Sequence, residues 1–164
     1  MKVENLRELL VDELRDLYSA ETQLTKALPK LAKHCSDSKL KQAVEHHLQE
    51  TEGHVKRLEQ IFKRLDESPK GETCEGMKGL IEETEKRIKS GGDSATLDAG
   101  LIADAQRVEH YEISAYGSAR TFADLLGEHE IVKLLEQTLQ EEKAADAKLS
   151  QCAQSINVEA KAAA

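Results

Sequence analysis

Two breaks in an otherwise helix-forming chain, Cys35-Ser36-Asp37 and Gly127, constrain how this sequence can fold. Glu21 and Glu50 are centred on the first break, and Glu112 and Glu142 on the second. Folding back at each break therefore gives an antiparallel helical hairpin across which the paired carboxylates face one another. At a rise of about 1.5 Å per residue, these glutamates stand roughly 22 Å from their turns, about halfway along helices of about 45 Å. Glu109 lies one turn from Glu112 on the same helix. Carboxylates gathered halfway along a helical core are costly unless positive charge neutralises them, and paired metal ions are the common solution.

The apolar periodicity supports long amphipathic helices. The first, predicted over residues 3–34, repeats Leu6, Leu10, Leu14, Leu17, Leu24, Leu28 and Leu31 at three- and four-residue steps, with Glu21 filling the step between Leu17 and Leu24. Pro29 falls inside it and predicts a local kink, with the helix continuing beyond. The second, over 38–66, follows the capping oxygens of Ser36, Asp37 and Ser38; its stripe is Val44, Leu48, Thr51, Val55, Leu58, Phe62 and Leu65, with Glu50 at the edge. After Ser68-Pro69-Lys70-Gly71 comes a shorter helix over 74–89. The third long helix, over 94–126, places Leu97, Leu101, Ala105, Val108, Glu112, Ala115, Ala119 and Phe122 on one face, bordered by Glu109. Gly127 suits the left-handed residue that ends a helix, and the fourth long helix, over 128–155, carries Val132, Leu135, Leu139, Glu142, Ala145 and Leu149.

With 164 residues, no Trp, 3% aromatic residues and two Pro, the chain suits a single all-α domain. Two hairpins joined by a crossover of roughly thirty residues predict a ferritin-like antiparallel four-helix bundle with an additional short crossover helix. The domain is expected to span residues 1–157, with a frayed tail over 158–164. Turns at one end of the bundle or at opposite ends both bring the mid-height carboxylates level, so the pattern leaves that choice open.

A formal net charge of -8 with no basic patch argues against nucleic-acid binding. The same acidity, without a basic tail, disfavours a DNA-protecting cage. Cys35, Cys74 and Cys152 are odd in number and lack CxxC spacing, so neither a disulfide framework nor a thiolate metal site is indicated. The charged amphipathic start carries no apolar signal core, and no stretch reads as a membrane span; a cytoplasmic setting is expected.

Five carboxylates in a dry core would repel one another and resist ionisation, which two divalent cations would relieve. Oxygen-rich ligands with imidazole suit iron or manganese. The usual ferritin-like di-metal pattern takes a Glu from each of two helices and Glu-x-x-His from the other two. This chain departs from it: Gly53 follows Glu50, and Ala145 follows Glu142, where the histidines belong. His47, one turn before Glu50, or His54, one turn after it, can supply the imidazole, unless both lie on the edge of a solvated face. The competing reading of Glu109 and Glu112 is an exposed pair. Glu141 and Glu142 cannot both face inward. His110 sits on another face from the candidate ligands, and His34, His46 and His129 lie near turns or charged faces.

The residues reached so far resemble the bacterial YciF/YciE stress-protein family over nearly the whole chain. The likeness rests on Leu17-Tyr18-Ser19-Ala20-Glu21 with Gln23-Leu24, His47-Leu48-Gln49-Glu50-Thr51, Gly79-Leu80-Ile81-Glu82-Glu83, Val108-Glu109-His110-Tyr111-Glu112-Ile113, Ala115-Tyr116-Gly117 and Glu141-Glu142-Lys143. The resemblance favours His47 as the imidazole donor and implies a compact helical bundle, a homodimer and a role in bacterial stress. Glu109-x-x-Glu112 adds a carboxylate much as rubrerythrins do. The resulting expectation is a centre of two iron ions, with manganese as the alternative, held by Glu21, His47, Glu50, Glu109, Glu112 and Glu142 and acting on dioxygen or peroxide with oxidase- or peroxidase-like chemistry. The competing expectation is a metal-free dimeric bundle that works by protein–protein interaction.

Overall fold

A computed structural model describes residues 3–162. Among them are five helices and no strand: α1 (Leu6–His34), α2 (Ser38–Leu65), α3 (Glu75–Ser90), α4 (Ser94–Leu125) and α5 (His129–Ala162). Each boundary has a local cause. Asn5 accepts from the Glu8 amide at 2.9 Å to start α1, and Asp37 accepts from the amides of Lys39 and Leu40 to start α2. Asp66, left-handed at φ 55°, ends α2 before the expected Ser-Pro-Lys-Gly segment. The Cys74 side chain caps α3, and Asp93 caps α4. Gly127 takes φ 73°, with Glu128 N–H donating to the Ala123 carbonyl, so glycine at the α4–α5 turn has the conformational role its position suggests. Helix α1 continues through Pro29 to His34, as expected. Helix α5 continues to Ala162, beyond the fraying predicted from Val158; Ala163 and Ala164 lie outside the described residues.

Helices α1 and α2 form one hairpin and α4 and α5 the other, with α1 also against α4 and α2 against α5. The turns lie at opposite ends. At one end the amides of Ser36 and Asp37, between α1 and α2, donate to Asp98 near the start of α4. At the other, Arg7 near the start of α1 reaches the Leu65 carbonyl and Glu128 of the α4–α5 turn. The connection between hairpins must therefore travel the length of the bundle, and α3 does so along α1 and α4.

The apolar interior divides in two. One half gathers Leu24, Leu28, Leu40, Val44, Leu101, Ile102, Leu149 and Ile156, with Met77 from α3. The other gathers Leu10, Leu14, Leu17, Leu58, Phe62, Ala119, Ile131 and Leu135. At the boundary between them lie buried Glu21, His47, Thr51, His54, Glu109, Glu112 and Glu142. The stripe on α2 is rotated from the predicted one: Leu48 and Val55 are only partly buried, while His47 and His54 turn inward beside Thr51. On α4, Tyr116 rather than Ala115 takes the buried position. In both places a polar group is drawn inward because partners of opposite charge or hydrogen-bonding capacity await it there.

Asp98 is the clearest link between the hairpins. It is 2% exposed, and accepts from Ser36 N–H at 3.0 Å and Asp37 N–H at 2.7 Å. Asp98→Ala should strand both amides and cost roughly 1–3 kcal/mol in urea unfolding, with the helical signal intact. A loss below about 0.5 kcal/mol would show that water replaces the carboxylate at no penalty.

Candidate metal centre

Each long helix contributes to the polar layer because a three- or four-residue step in its apolar row is filled by an ionisable side chain. Glu21 comes from α1, His47 and His54 from α2, Glu109 and Glu112 from α4, and Glu142 from α5. Their ligating atoms form two groups. His47, Glu109, Glu112 and Glu142 make one and Glu21, His54 and Glu142 the other, and within each the donor atoms lie within 4.8 Å of one another. Glu142 belongs to both: Oε1 is 3.0 Å from His54 Nδ1, and Oε2 is 3.8 Å from His47 Nε2. His47 Nε2 is also 3.3 Å from Glu109 Oε1, and His54 Nδ1 is 3.2 Å from Glu21 Oε1.

Of the residues singled out in the sequence, Glu21, His47, Glu109, Glu112 and Glu142 are therefore brought together. Glu50 stands apart. Its side chain is 21% exposed, placed 3.5 Å from His47 Nδ1 and 3.4 Å from the exposed His46, and it joins neither group. His54 lies inside the layer together with His47, so the two imidazoles are complementary rather than alternatives. Tyr116 completes the layer from below; it is fully buried and its hydroxyl donates to Glu21 Oε1. In the sequence it flanks the Glu109-x-x-Glu112 motif, where a tyrosine can donate a hydrogen bond to the centre or serve as a core residue with one polar atom to satisfy. His110 is 69% exposed and faces Asp146.

The electrostatics are those of a crowded anionic core. Burial, reinforced by Glu142, Glu21 and Glu109, holds the Glu112 carboxyl well above the usual range, and burial does the same to Glu109 against the opposing pull of His47. Burial also raises Glu21. Glu142 is held below its ordinary value despite burial, by His54 and His47. Burial by itself would depress both imidazoles. The surrounding carboxylates override it, Glu109 foremost at His47, which is raised to about 9, and Glu142 foremost at His54, which is raised to about 10.

These charges only partly satisfy one another. Both oxygens of Glu112 and of Glu142, Glu109 Oε2, Glu21 Oε2, both ring nitrogens of His47 and His54 Nδ1 are buried without a hydrogen bond. Several lie at ion-pair distance from a partner but are not aligned for hydrogen bonding. Orphaned donor atoms on convergent carboxylates and imidazoles, in two adjoining sets with a shared carboxylate, are what a pair of divalent cations would satisfy. The residues present fit such ions.

A further shell supports the layer. His54 Nε2 lies 2.9 Å from Glu141 Oε2. Glu141 in turn accepts two bonds from Arg57, at 2.9 and 3.1 Å, and one from Gln137 at 3.1 Å. Arg57 also donates to Thr138 at 2.5 Å. Glu141 does face away from the layer, as its adjacency to Glu142 requires, but it orients a ring that faces in.

Fold and site together define a class: an all-helical bundle with a buried histidine–carboxylate cluster able to hold metal. The chain matches the family described as Domain of unknown function (DUF892) over residues 5–163, and it belongs to that family. It is 45% identical to Protein YciF of Escherichia coli over 154 residues, covering 93% of each chain. The crystal structure of that organism's stress protein YciF superposes with a TM-score of 0.91 at 44% identity, covering 94% of this chain and 98% of the other. A structure described as YcfI, a putative structural protein from Rhodopseudomonas palustris, gives 0.88 at 42% identity over 91% of this chain and 95% of that one.

Two outcomes follow from this electrostatic arrangement. A group with a higher pKa in the folded than in the unfolded state stabilises the fold below its unfolded value and loses that contribution as pH rises through the folded value. Glu109, Glu112, His47 and His54 all have this sign, whereas Glu142 has the opposite sign and matters on the acid side of its ordinary 4.5. The thermal midpoint of chelator-treated protein should therefore fall as pH rises from 6.5 towards the folded imidazole values of about 9 and about 10. Calorimetry showing a midpoint that climbs over that window would contradict the arrangement. Secondly, Glu141→Gln should weaken metal binding about 10–100-fold in competition titrations with a chromophoric chelator, because His54 loses its charged orienting partner. Unchanged affinity would mean that the ring is held by packing alone.

Proposed function

We propose that this protein is a ferritin-like bundle with a carboxylate-rich centre for two iron ions, manganese being the alternative, that acts on dioxygen or peroxide during stress. The observation that carries the proposal is Glu142, a fully buried carboxylate whose two oxygens, neither hydrogen-bonded, stand in two adjoining sets of ligating atoms. One ion would be held by His47, Glu109, Glu112 and Glu142, and the other by Glu21, His54 and Glu142. Such ions, when bound, supply Lewis acidity and, for iron and manganese, redox chemistry. The stress setting is supported by the relative described as a stress protein.

The chain's own residues prepare the site. Glutamates from three helices would offset the charge of two divalent ions, which relieves the burial and mutual repulsion that raise the Glu109 and Glu112 carboxyls in the free protein. The Tyr116 hydroxyl binds one oxygen of Glu21 and leaves the other, Oε2, to turn towards an ion. Glu141, fixed by Arg57, holds the His54 ring with Nδ1 directed inward. Apolar halves above and below exclude bulk water, which strengthens each ion–carboxylate contact.

Protein purified without chelator after growth in iron-supplemented medium should carry near two equivalents of metal per chain by elemental analysis. Glu142→Ala, which removes a donor from both sets, should reduce the content well below one equivalent, whereas Glu50→Ala should leave it near two. Folded parent protein that stays metal-free after incubation with ferrous or manganous ions would overturn the reading in favour of a metal-free bundle acting through a protein partner.

A further inference from the structure

Between α2 and α5, in the half of the bundle nearer the α1–α2 turn, a cleft of about 400 Å³ opens from solvent towards the polar layer. A water molecule takes about 30 Å³ of liquid volume, so dioxygen or peroxide alone would leave most of this space unused. The volume lies in the range of small organic ligands. Its walls are apolar, built from Leu28, Leu31, Val44 and Leu149 with the small Ala105 and Ala145 leaving room. His47, 6% exposed, and Glu109, 3% exposed, line its inner end, and both ring nitrogens of the one and Oε2 of the other are without hydrogen bonds. Lys39 and Lys148 line the opposite end. Both are exposed, and neither ammonium is engaged in a hydrogen bond or ion pair among the described residues. Lys39 precedes His47 by eight residues on α2, which sets the two ends of the cleft about 12 Å apart.

We propose that this cleft binds a small amphipathic organic anion, its acidic head at Lys39 and Lys148 and its apolar chain extending along the alanine-lined walls towards His47 and Glu109. Charge decides the orientation. The inner end sets one imidazole, His47, among the carboxylates of Glu50 and Glu109, while the outer end offers two unpaired ammonium groups and no lining carboxylate. Apolar walls take a hydrocarbon chain, and with only Gln42 and His46 as polar side chains between the two ends, most hydroxyls and base edges of a sugar or a nucleotide would be stranded. The bound chain would end beside the candidate centre; that placement rests on the metal reading, whereas binding in the cleft does not.

The test uses decanoate, below its micelle concentration, titrated calorimetrically into metal-free and iron-loaded protein, with the neutral alcohol decanol for comparison. One decanoate should bind per chain in both forms. Ala145→Phe, which fills the cleft, should weaken binding at least about tenfold, and the double variant Lys39→Glu/Lys148→Glu should weaken decanoate by about fivefold or more while leaving decanol unchanged. Circular dichroism and metal content matching the parent would show both variants intact, and the double variant, altered only at the surface, answers the question even if the filled cleft unfolds. Absence of saturable decanoate binding, equal binding by Ala145→Phe, or equal loss of decanoate and decanol on charge reversal each overturns the proposal. Two equivalents of metal without decanoate binding would leave the centre standing and remove the ligand; decanoate binding without metal would do the reverse.

Discussion

The contact on which the interior depends is the meeting of Glu142 with His54, at 3.0 Å and with both side chains fully buried. The other oxygen of the same carboxylate faces His47 at 3.8 Å. Both imidazoles belong to α2 and Glu142 to α5. Those helices come from different hairpins and part over the cleft, so hydrocarbon packing does less to join them there. An ion pair in a dry core is a weak source of net stability but a strong source of specificity, because each partner left alone would be an uncompensated buried charge. Glu142 therefore ties α5 of one hairpin to α2 of the other and is the residue common to both sets of donor atoms.

What could be read in the sequence depended on how each polar residue interrupts its row. Glu21 was legible because Leu17 and Leu24 bracket it on one face, and the pattern leaves no outward position for it. Glu112 and Glu142 followed the same rule. Gly127 was legible as a left-handed turn for a backbone reason independent of packing. On α2 the rule failed by one residue. Leu48 and Val55 look like core residues by hydrophobicity, but the carboxylates of the other helices pull His47 and His54 inward and displace those apolar neighbours to the flank. A single helix cannot reveal that, since the force comes from side chains on three other helices, 33 to 95 residues away. Glu50 was drawn to attention by its symmetric distance from the first turn, yet the same rotation carries it to the edge.

The missing Glu-x-x-His spacing also has a physical account. A ligand set is defined by where donor atoms converge, not by the interval between them in the chain. Here both imidazoles come from α2, seven residues apart and two helical turns along one face, so a single helix supplies one ring to each set. The orientation of the two hairpins was not legible, because carboxylates at mid-height coincide whether the turns share an end or not. Asp98 and Arg7, which record the answer, gave no periodic signal.

The course of α3 has one more effect. By lying along α1 and α4 it covers that flank of the bundle, and the broad approach left to the interior is on the α2–α5 side. Whatever approaches the buried histidine–carboxylate layer along this cleft passes Lys39 and Lys148 before it meets His47 and Glu109.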